Sequence, residues 1–207
     1  MHSFIYLASQ SPRRQELLKQ IGIRFEMLIP DPQEDSESIE NPIPNEKARI
    51  YVERVTLAKS KAALERWRKA KLPWAPILCA DTTVSLPNSS DGEILGKPTN
   101  AQDAARILSM LSGKTHEVLT AIAMTIDPLS APQCVVQISQ VKFAKLSREQ
   151  IQAYIDSGEP FGKAGAYGIQ GLGGTFIPTI EGSYSGIMGL PIYEAGQLLD
   201  LAKVTRI

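Results

Sequence analysis

The ten residues from Ile77 to Leu86 (ILCADTTVSL) are apolar or small except for one acid. Pro73 and Pro76 stand before the run, and the turn-forming Asn88, Ser89, Ser90, Asp91 and Gly92 follow it. Bounded in this way, the run reads as a buried strand that the rest of the chain must cover, with Ile94 and Leu95 as a short return strand of a hairpin. A carboxyl group inside such a strand must be paired, protonated or bound to a metal. Asp81 is therefore read as functional in preference to a turn-capping aspartate, because it lies within the run and not at its end.

The flanking sequence supplies helices and further strands. Phe4 to Ala8 reads as a strand; Ser11 suits a helix N-cap and Pro12 the first helical position, with the helix running to about Ile21 and stopping at Gly22. A strand from Phe25 to Ile29 leads into the acidic, Pro-punctuated stretch Asp31 to Pro44, read as a mobile loop, and then into a long helix from about Glu46 to Ala70. Asn100 caps a helix to Leu111. The runs Glu117 to Ile126 and Val135 to Phe143 pair antiparallel across a Pro-containing turn. Ser147 caps a helix closed by Gly158, Thr175 to Ile180 reads as a strand, and Pro191 opens the last helix. Strands and helices alternate without a strict βαβ rhythm, which favours one α/β domain over residues 1–207 with a mixed central sheet flanked by helices, in two lobes around a cleft.

Lys+Arg 22 balances Asp+Glu 22, so any polyanion must be held by a local patch and not by the overall field, and nucleic acid is not an expected partner. The two cysteines, Cys79 and Cys134, sit in apolar runs as small hydrophobes, which fits a reducing cytoplasm. No apolar stretch approaches the ~18 residues of a membrane span, and Phe4 to Ala8 is too short for a signal-peptide core.

Several residues carry chemical potential. Arg13 and Arg14 in the first turn of a helix oppose its macrodipole, by ~0.3–1 kcal/mol per charge, unless an anion binds there; the alternative is a capped helix with solvated arginines. Lys97, between Gly96 and Pro98, can reach a phosphate as a point charge, whereas Lys59 alone reads as part of a solvated helix face. His116 is either a general base or a strand-start histidine bonded to backbone. Gly162 to Gly174 has six glycines in thirteen residues, so backbone must approach something closely, yet it matches neither the dinucleotide fingerprint nor the P-loop. A nucleophile elbow and a Cys/His ligand cluster are also missing.

Taken together, Leu7 to Leu18 (LASQSPRRQELL), Ala80 to Val84 (ADTTV), Gly96-Lys97-Pro98, Leu111 to His116 (LSGKTH), the Gly165 to Gly171 segment, Gly182-Ser183-Tyr184 and Gly189-Leu190-Pro191 resemble the Maf family of nucleoside triphosphate pyrophosphatases. The resemblance implies hydrolysis of the α–β bond of a nucleoside triphosphate with a divalent cation, Mg²⁺ or Mn²⁺, and a homodimer. It makes Asp81 the proton acceptor and a metal ligand with Glu34, and Ser11, Arg13 and Arg14 the phosphate-gripping motif. Lys59 and Lys97 become catalytic lysines, and Arg13, Thr82 and Gln170 the specificity positions of the branch acting on dTTP and UTP. Gln33 departs from the acid often found beside Glu34, and the Leu86 to Ile94 hairpin is longer than usual. Gln170 can offer a donor and an acceptor to the O4/N3–H edge of uracil or thymine, with Tyr167 stacking on the ring; the alternative is that Gln170 satisfies loop backbone. Two other functions remain open: a nucleotide-binding regulator of cell division, and a purine-directed house-cleaning pyrophosphatase.

Overall fold

A computed structural model describes residues 1–31, 34, 38–87 and 93–205. In chain order the elements are β1 (Ile5–Leu7), α1 (Pro12–Gln20), β2 (Phe25–Met27), α2 (Ala48–Ala70), β3 (Ile77–Leu86), β4 (Glu93–Leu95), α3 (Ala101–Leu111), β5 (Thr115–Thr125), β6 (Gln133–Lys142), α4 (Arg148–Asp156), β7 (Thr179–Glu181), α5 (Tyr184–Met188) and α6 (Ile192–Leu201). Among the described residues seven strands form one mixed sheet in the order β2-β1-β3-β5-β6-β7, with β4 beside β3. The pairs β1–β2 and β1–β3 are parallel and the others antiparallel.

The expected central strand spans Ile77–Leu86 and is buried at nine of its ten positions, Thr82 being partly exposed. Alternation divides its side chains between two layers. Ile77 and Cys79, with Leu119 and Ala121 of β5, face α2, whose buried stripe includes Val52, Val55 and Ala63. The opposite face holds two cores. Leu78 and Ala80 pack with Leu17 and Leu18 of α1 and Leu198 and Leu199 of α6, whereas Val84 and Leu86 pack with Ile107 and Leu108 of α3 and Tyr154 and Ile155 of α4. Between these cores lie Thr82 and its register partner Thr120, two hydroxyls where the pattern would otherwise continue apolar. The two lobes are thus one sheet with its covering layer divided.

Local signals act as expected at several ends. Asn100 accepts from the Asp103 N–H, Ser147 and Gln150 form a capping box, and Gly22 and Gly158 take positive φ. Three readings change. Thr175 to Ile180 is not one strand: Leu172–Phe176 is a 3₁₀ turn and the strand is Thr179–Glu181, because Pro178 has no N–H for a ladder and Gly173 and Gly174 fold back onto Gly168 and Ile169. Ser38–Glu40 is a 3₁₀ turn within the stretch read as a loop. Ser183 accepts from the Gly186 N–H and starts α5, which the sequence reading did not include. Gln33 and the Asn88 to Gly92 turn lie outside the described residues. No helix among the described residues is long and apolar enough to cross a membrane.

Candidate active site

β3 has two edges, and one pairs with β5 continuously from Ile77 to Ser85. The other is shared by β1, which meets it at Ile77 and Leu78, and β4, which meets it from Val84 to Leu86. From Cys79 to Thr83 that edge carries no strand partner among the described residues, and here the sheet opens on a cleft of about 530 Å³. Asp81 and Thr82 reach the cleft from opposite faces of the strand.

The chain leaves β1 through Ser9 and Gln10 and enters α1 at the cleft wall. Ser11 occupies the N-cap position, but its side chain makes no capping bond, and no acid stands in the first turn, so the amide dipoles and two guanidiniums converge uncompensated by a cap. The arginines divide their work. Arg14 donates from Nε to the Gly189 carbonyl (2.8 Å), from Nη1 to Ser9 Oγ (3.0 Å) and from Nη2 to Thr82 Oγ1 (3.2 Å), tying α1 to β3 and to the end of α5. Arg13 donates only Nε, to the Met188 carbonyl (3.2 Å), which leaves its terminal nitrogens without a protein partner among the described residues. Burial lowers the pKa of both guanidiniums, a cost that an anion in the cleft would offset. The Thr82 hydroxyl accepts from Arg14 and donates to Thr120 Oγ1 (2.9 Å), since Thr120 itself donates to the Gly186 carbonyl (2.8 Å).

Across from α1, Lys59 Nζ lies 2.6 Å from Asp81 Oδ1 and 2.7 Å from Glu40 Oε1, and Lys97 Nζ lies 2.9 Å from Glu40 Oε2. Asp81 is 8 % exposed. Burial raises the Glu40 pKa, but Lys59 and Lys97 outweigh it and hold the carboxyl at about 2. Glu34 stands elsewhere: its two oxygens take Arg66 Nη2 (2.6 Å) and Nε (3.0 Å).

The third wall is the glycine-rich segment. Gly165, at φ +70°, passes so close to β3 that a Cβ would meet Val84 Cγ2 at 2.7 Å, and its N–H donates to the Gly96 carbonyl (3.1 Å), locking this wall to the turn that bears Lys97. Lys163 adds a further cation; burial first, and then Arg13, lower its pKa. Gln170 is exposed at the cleft, and its side chain has no hydrogen-bond partner among the described residues. Tyr167 lines the floor at 6 % exposure, bonded through its hydroxyl to His116 Nε2 (2.9 Å) and edge-on to Phe143. In all, the charged lining is Arg13, Arg14, Lys59, Lys97 and Lys163 against Asp81, a strong positive focus in a chain of zero net charge.

A family model described as Maf-like protein matches residues 4–202. The chain belongs to the Maf family. Curated Maf relatives named dTTP/UTP pyrophosphatase come from Ralstonia nicotianae (53 % identical over 205 residues, 99 % of this chain and 96 % of that one), Burkholderia lata (52 % over 200 residues, 97 % and 93 %) and Cupriavidus pinatubonensis (51 % over 204 residues, 99 % and 99 %).

Of the positions that the Maf resemblance singles out, Ser11, Arg13, Arg14, Lys59, Asp81, Thr82, Lys97 and Gln170 line one cleft, although they come from five separate stretches of chain. Glu34 does not join them. It borders a smaller adjoining cavity with Arg66 and Lys59, so in this conformation the acidic stretch reaches Asp81's lysine through Glu40. Sequence reasoning missed Glu40 and Lys163. Glu40 stood among several acids with no period to distinguish it, and Lys163 among glycines. Lys59 had a readable signal, since it falls four residues after Val55 and four before Ala63 on the stripe that α2 buries, where a solvated lysine does not belong. His116 is neither an accessible base nor bonded to backbone: it is fully buried, burial lowers its pKa to about 4, and its Nδ1 has no partner among the described residues. Tyr167 is core, not a free stacking platform.

Proposed function

We propose that the protein is a nucleoside triphosphate pyrophosphatase that hydrolyses dTTP and UTP, with related modified pyrimidine nucleotides, to the monophosphate and pyrophosphate. The observation that carries this reading is Asp81, an acid in a cleft whose other charged lining residues among those described are all cations. A protein that merely held a triphosphate would gain nothing from an acid among its phosphate contacts, whereas hydrolysis needs a group to take the proton of the attacking water. The names of the relatives support the substrate class.

In this reading the triphosphate lies between the N-terminus of α1 and the lysines. Ser11 and the first-turn amides hold one phosphate, and Arg13 closes on it with the terminal nitrogens that have no partner among the described residues. Lys59 and Lys97 exchange Glu40 for phosphate oxygens and neutralise the charge that grows on the leaving pyrophosphate. Asp81 accepts the water proton as the α–β anhydride breaks, so one water is consumed and one proton released. Arg14 and Thr82 shape the pocket through each other, and Gln170 meets the base.

Among the described residues no three potential ligands gather, and what a hard divalent cation would find is a pair of carboxylates, Asp81 and Glu40, whose oxygens converge on the Lys59 ammonium, with Glu34 bordering the adjoining cavity in the grip of Arg66. We assign Mg²⁺ or Mn²⁺ to Asp81 with Glu34 or Glu40. When bound, the cation supplies Lewis-acid stabilisation of phosphate oxygens. Mn²⁺ titration of Glu34→Gln and Glu40→Gln without nucleotide separates the two carboxylates. We further assign the protein to the cytoplasm, which its two free thiols suit, as a homodimer without nucleic-acid or membrane partners; light scattering tests the dimer.

The deciding experiment is product analysis after mixing with UTP and Mg²⁺ or Mn²⁺. UMP and pyrophosphate are expected in equal amounts, and UDP with orthophosphate as first products would replace this assignment by a γ-phosphatase.

A further inference from the structure

Gln170 sits at the tip of a turn with nothing among the described residues bonded to its own side chain, so its geometry is set by the backbone on either side. That backbone is anchored to one carboxylate outside the cleft. Glu159 Oε2 accepts from the Leu172 N–H (2.8 Å), and Oε1 accepts from the Gly173 N–H (3.0 Å) and the Tyr154 hydroxyl (2.8 Å). The same Tyr154 oxygen accepts from the Gly168 N–H (3.1 Å). Both flanks of Gln170, two residues before and two to three after, therefore hang on Glu159 and its tyrosine.

The glycines follow from this arrangement. A Cβ on Gly171 would fall inside the Glu159 carboxylate and one on Gly173 would lie 2.7 Å from the Tyr154 hydroxyl, whereas one on Gly168 would press first on the Lys163 side chain, at 3.2 Å from Cε. Successive backbone N–H groups wrapping an anion form a nest, here filled by the protein's own side chain. The Lys163 ammonium, which lines the cleft, also donates to the Glu159 carbonyl, so the residue anchors a cation of the site as well. Burial raises the Glu159 pKa, and the Gly173 and Leu172 N–H groups reverse that shift, which keeps the acceptor charged.

We infer that Glu159 is the positioning residue for base selection, holding the turn from Gly168 to Gly173 so that Gln170 presents its amide to the pyrimidine. This rests on the reading of Gln170 given above. Glutamine at 159 keeps one acceptor oxygen but turns an NH₂ toward an N–H or hydroxyl that needs an acceptor, so one flank of the turn is released.

The test compares kcat, KM and melting temperature for UTP and CTP in the wild type and in Glu159→Gln, Gln170→Ala and the double variant. The wild type is expected to favour UTP at least about tenfold in kcat/KM, and Glu159→Gln to bring that ratio below about threefold, mainly through KM. The double variant should show the ratio of Gln170→Ala alone, because both changes break one path. A purely structural Glu159 would lower the melting temperature and the active fraction for both nucleotides alike, leaving the ratio intact; that result, beside a reduced ratio in Gln170→Ala, overturns the inference while preserving Gln170 as the reader. A reduced ratio in Glu159→Gln with none in Gln170→Ala also overturns the inference, because Glu159 then acts on selectivity by a route that does not pass through Gln170. A wild-type ratio near one overturns both. Should Glu159→Gln not fold, Tyr154→Phe, which frees the Gly168 flank and leaves the carboxylate, carries the same comparison with the same criteria.

Discussion

Replacing Asp81 by asparagine keeps the shape of the side chain and removes its charge and basicity. On stability the effect should be small, and the structure says why. Lys59 Nζ has two carboxylates, at 2.6 and 2.7 Å, and keeps Glu40 when Asp81 is neutralised; the amide oxygen can still accept from it. The loss is then the difference between a charge-assisted and a neutral hydrogen bond, about 1 kcal/mol. In a chain of 207 residues this corresponds to a melting temperature lower by roughly 2–4 °C. On catalysis the effect should be large: loss of the proton acceptor costs ~10²–10³ in kcat, roughly 3–4 kcal/mol of transition-state stabilisation. Arg13, Lys59 and Lys97 remain to hold the triphosphate, so UTP should still raise the melting temperature of the variant. Pyrophosphate release under saturating UTP, paired with melting curves with and without nucleotide, reads all three quantities. Retention of more than about a tenth of wild-type kcat would remove Asp81 from catalysis. A melting temperature lower by more than ~10 °C would refute the claim that Glu40 shares the lysine.

The neighbouring arginines should separate in opposite ways. Arg14→Ala removes the three bonds joining Ser9, Thr82 and Gly189 and is expected to cost ~3–5 kcal/mol, visible as a melting temperature lower by about 10 °C, whereas Arg13→Ala should melt within a few degrees of wild type and raise KM for UTP at least about tenfold. Equal effects of the two on melting and on KM would contradict that division. His116 predicts an acid-side loss of stability. Its folded pKa of about 4 lies below the unfolded value of 6.5, so the unfolded chain takes up the proton first as pH falls; stability is full above pH 6.5 and declines toward pH 4 by about 3 kcal/mol. Denaturant unfolding from pH 7 to 4 measures this, and His116→Phe should flatten that part of the curve. Gly165→Ala should lower stability by ~1–3 kcal/mol or more, because a Cβ there meets Val84 and φ is +70°; a neutral melting result would mean the wall can move away from β3.

Much of this protein is legible from local chemistry. Breakers and β-branched residues delimit β3 to its observed bounds, and the caps Asn100 and Ser147 and the glycines Gly22 and Gly158 act within a turn of their own position, so a reading that uses only neighbours finds them. Asp81 also declares itself locally, because an acid inside an apolar run conflicts with burial wherever the run ends up. What tertiary structure alone decides is which distant groups answer that acid. β1 and β4 share an edge of β3 and leave a gap between them; strand pairing across dozens of residues makes that gap, and no periodicity encodes it. Glu40 instead of Glu34 meets Lys59, Arg14 braces the fold while Arg13 stays open, and His116 sits against Tyr167 in the core. In each case the residue type was visible in the sequence, and its role depends on a partner 5 to 175 positions away, brought near by the packing of two cores on one sheet.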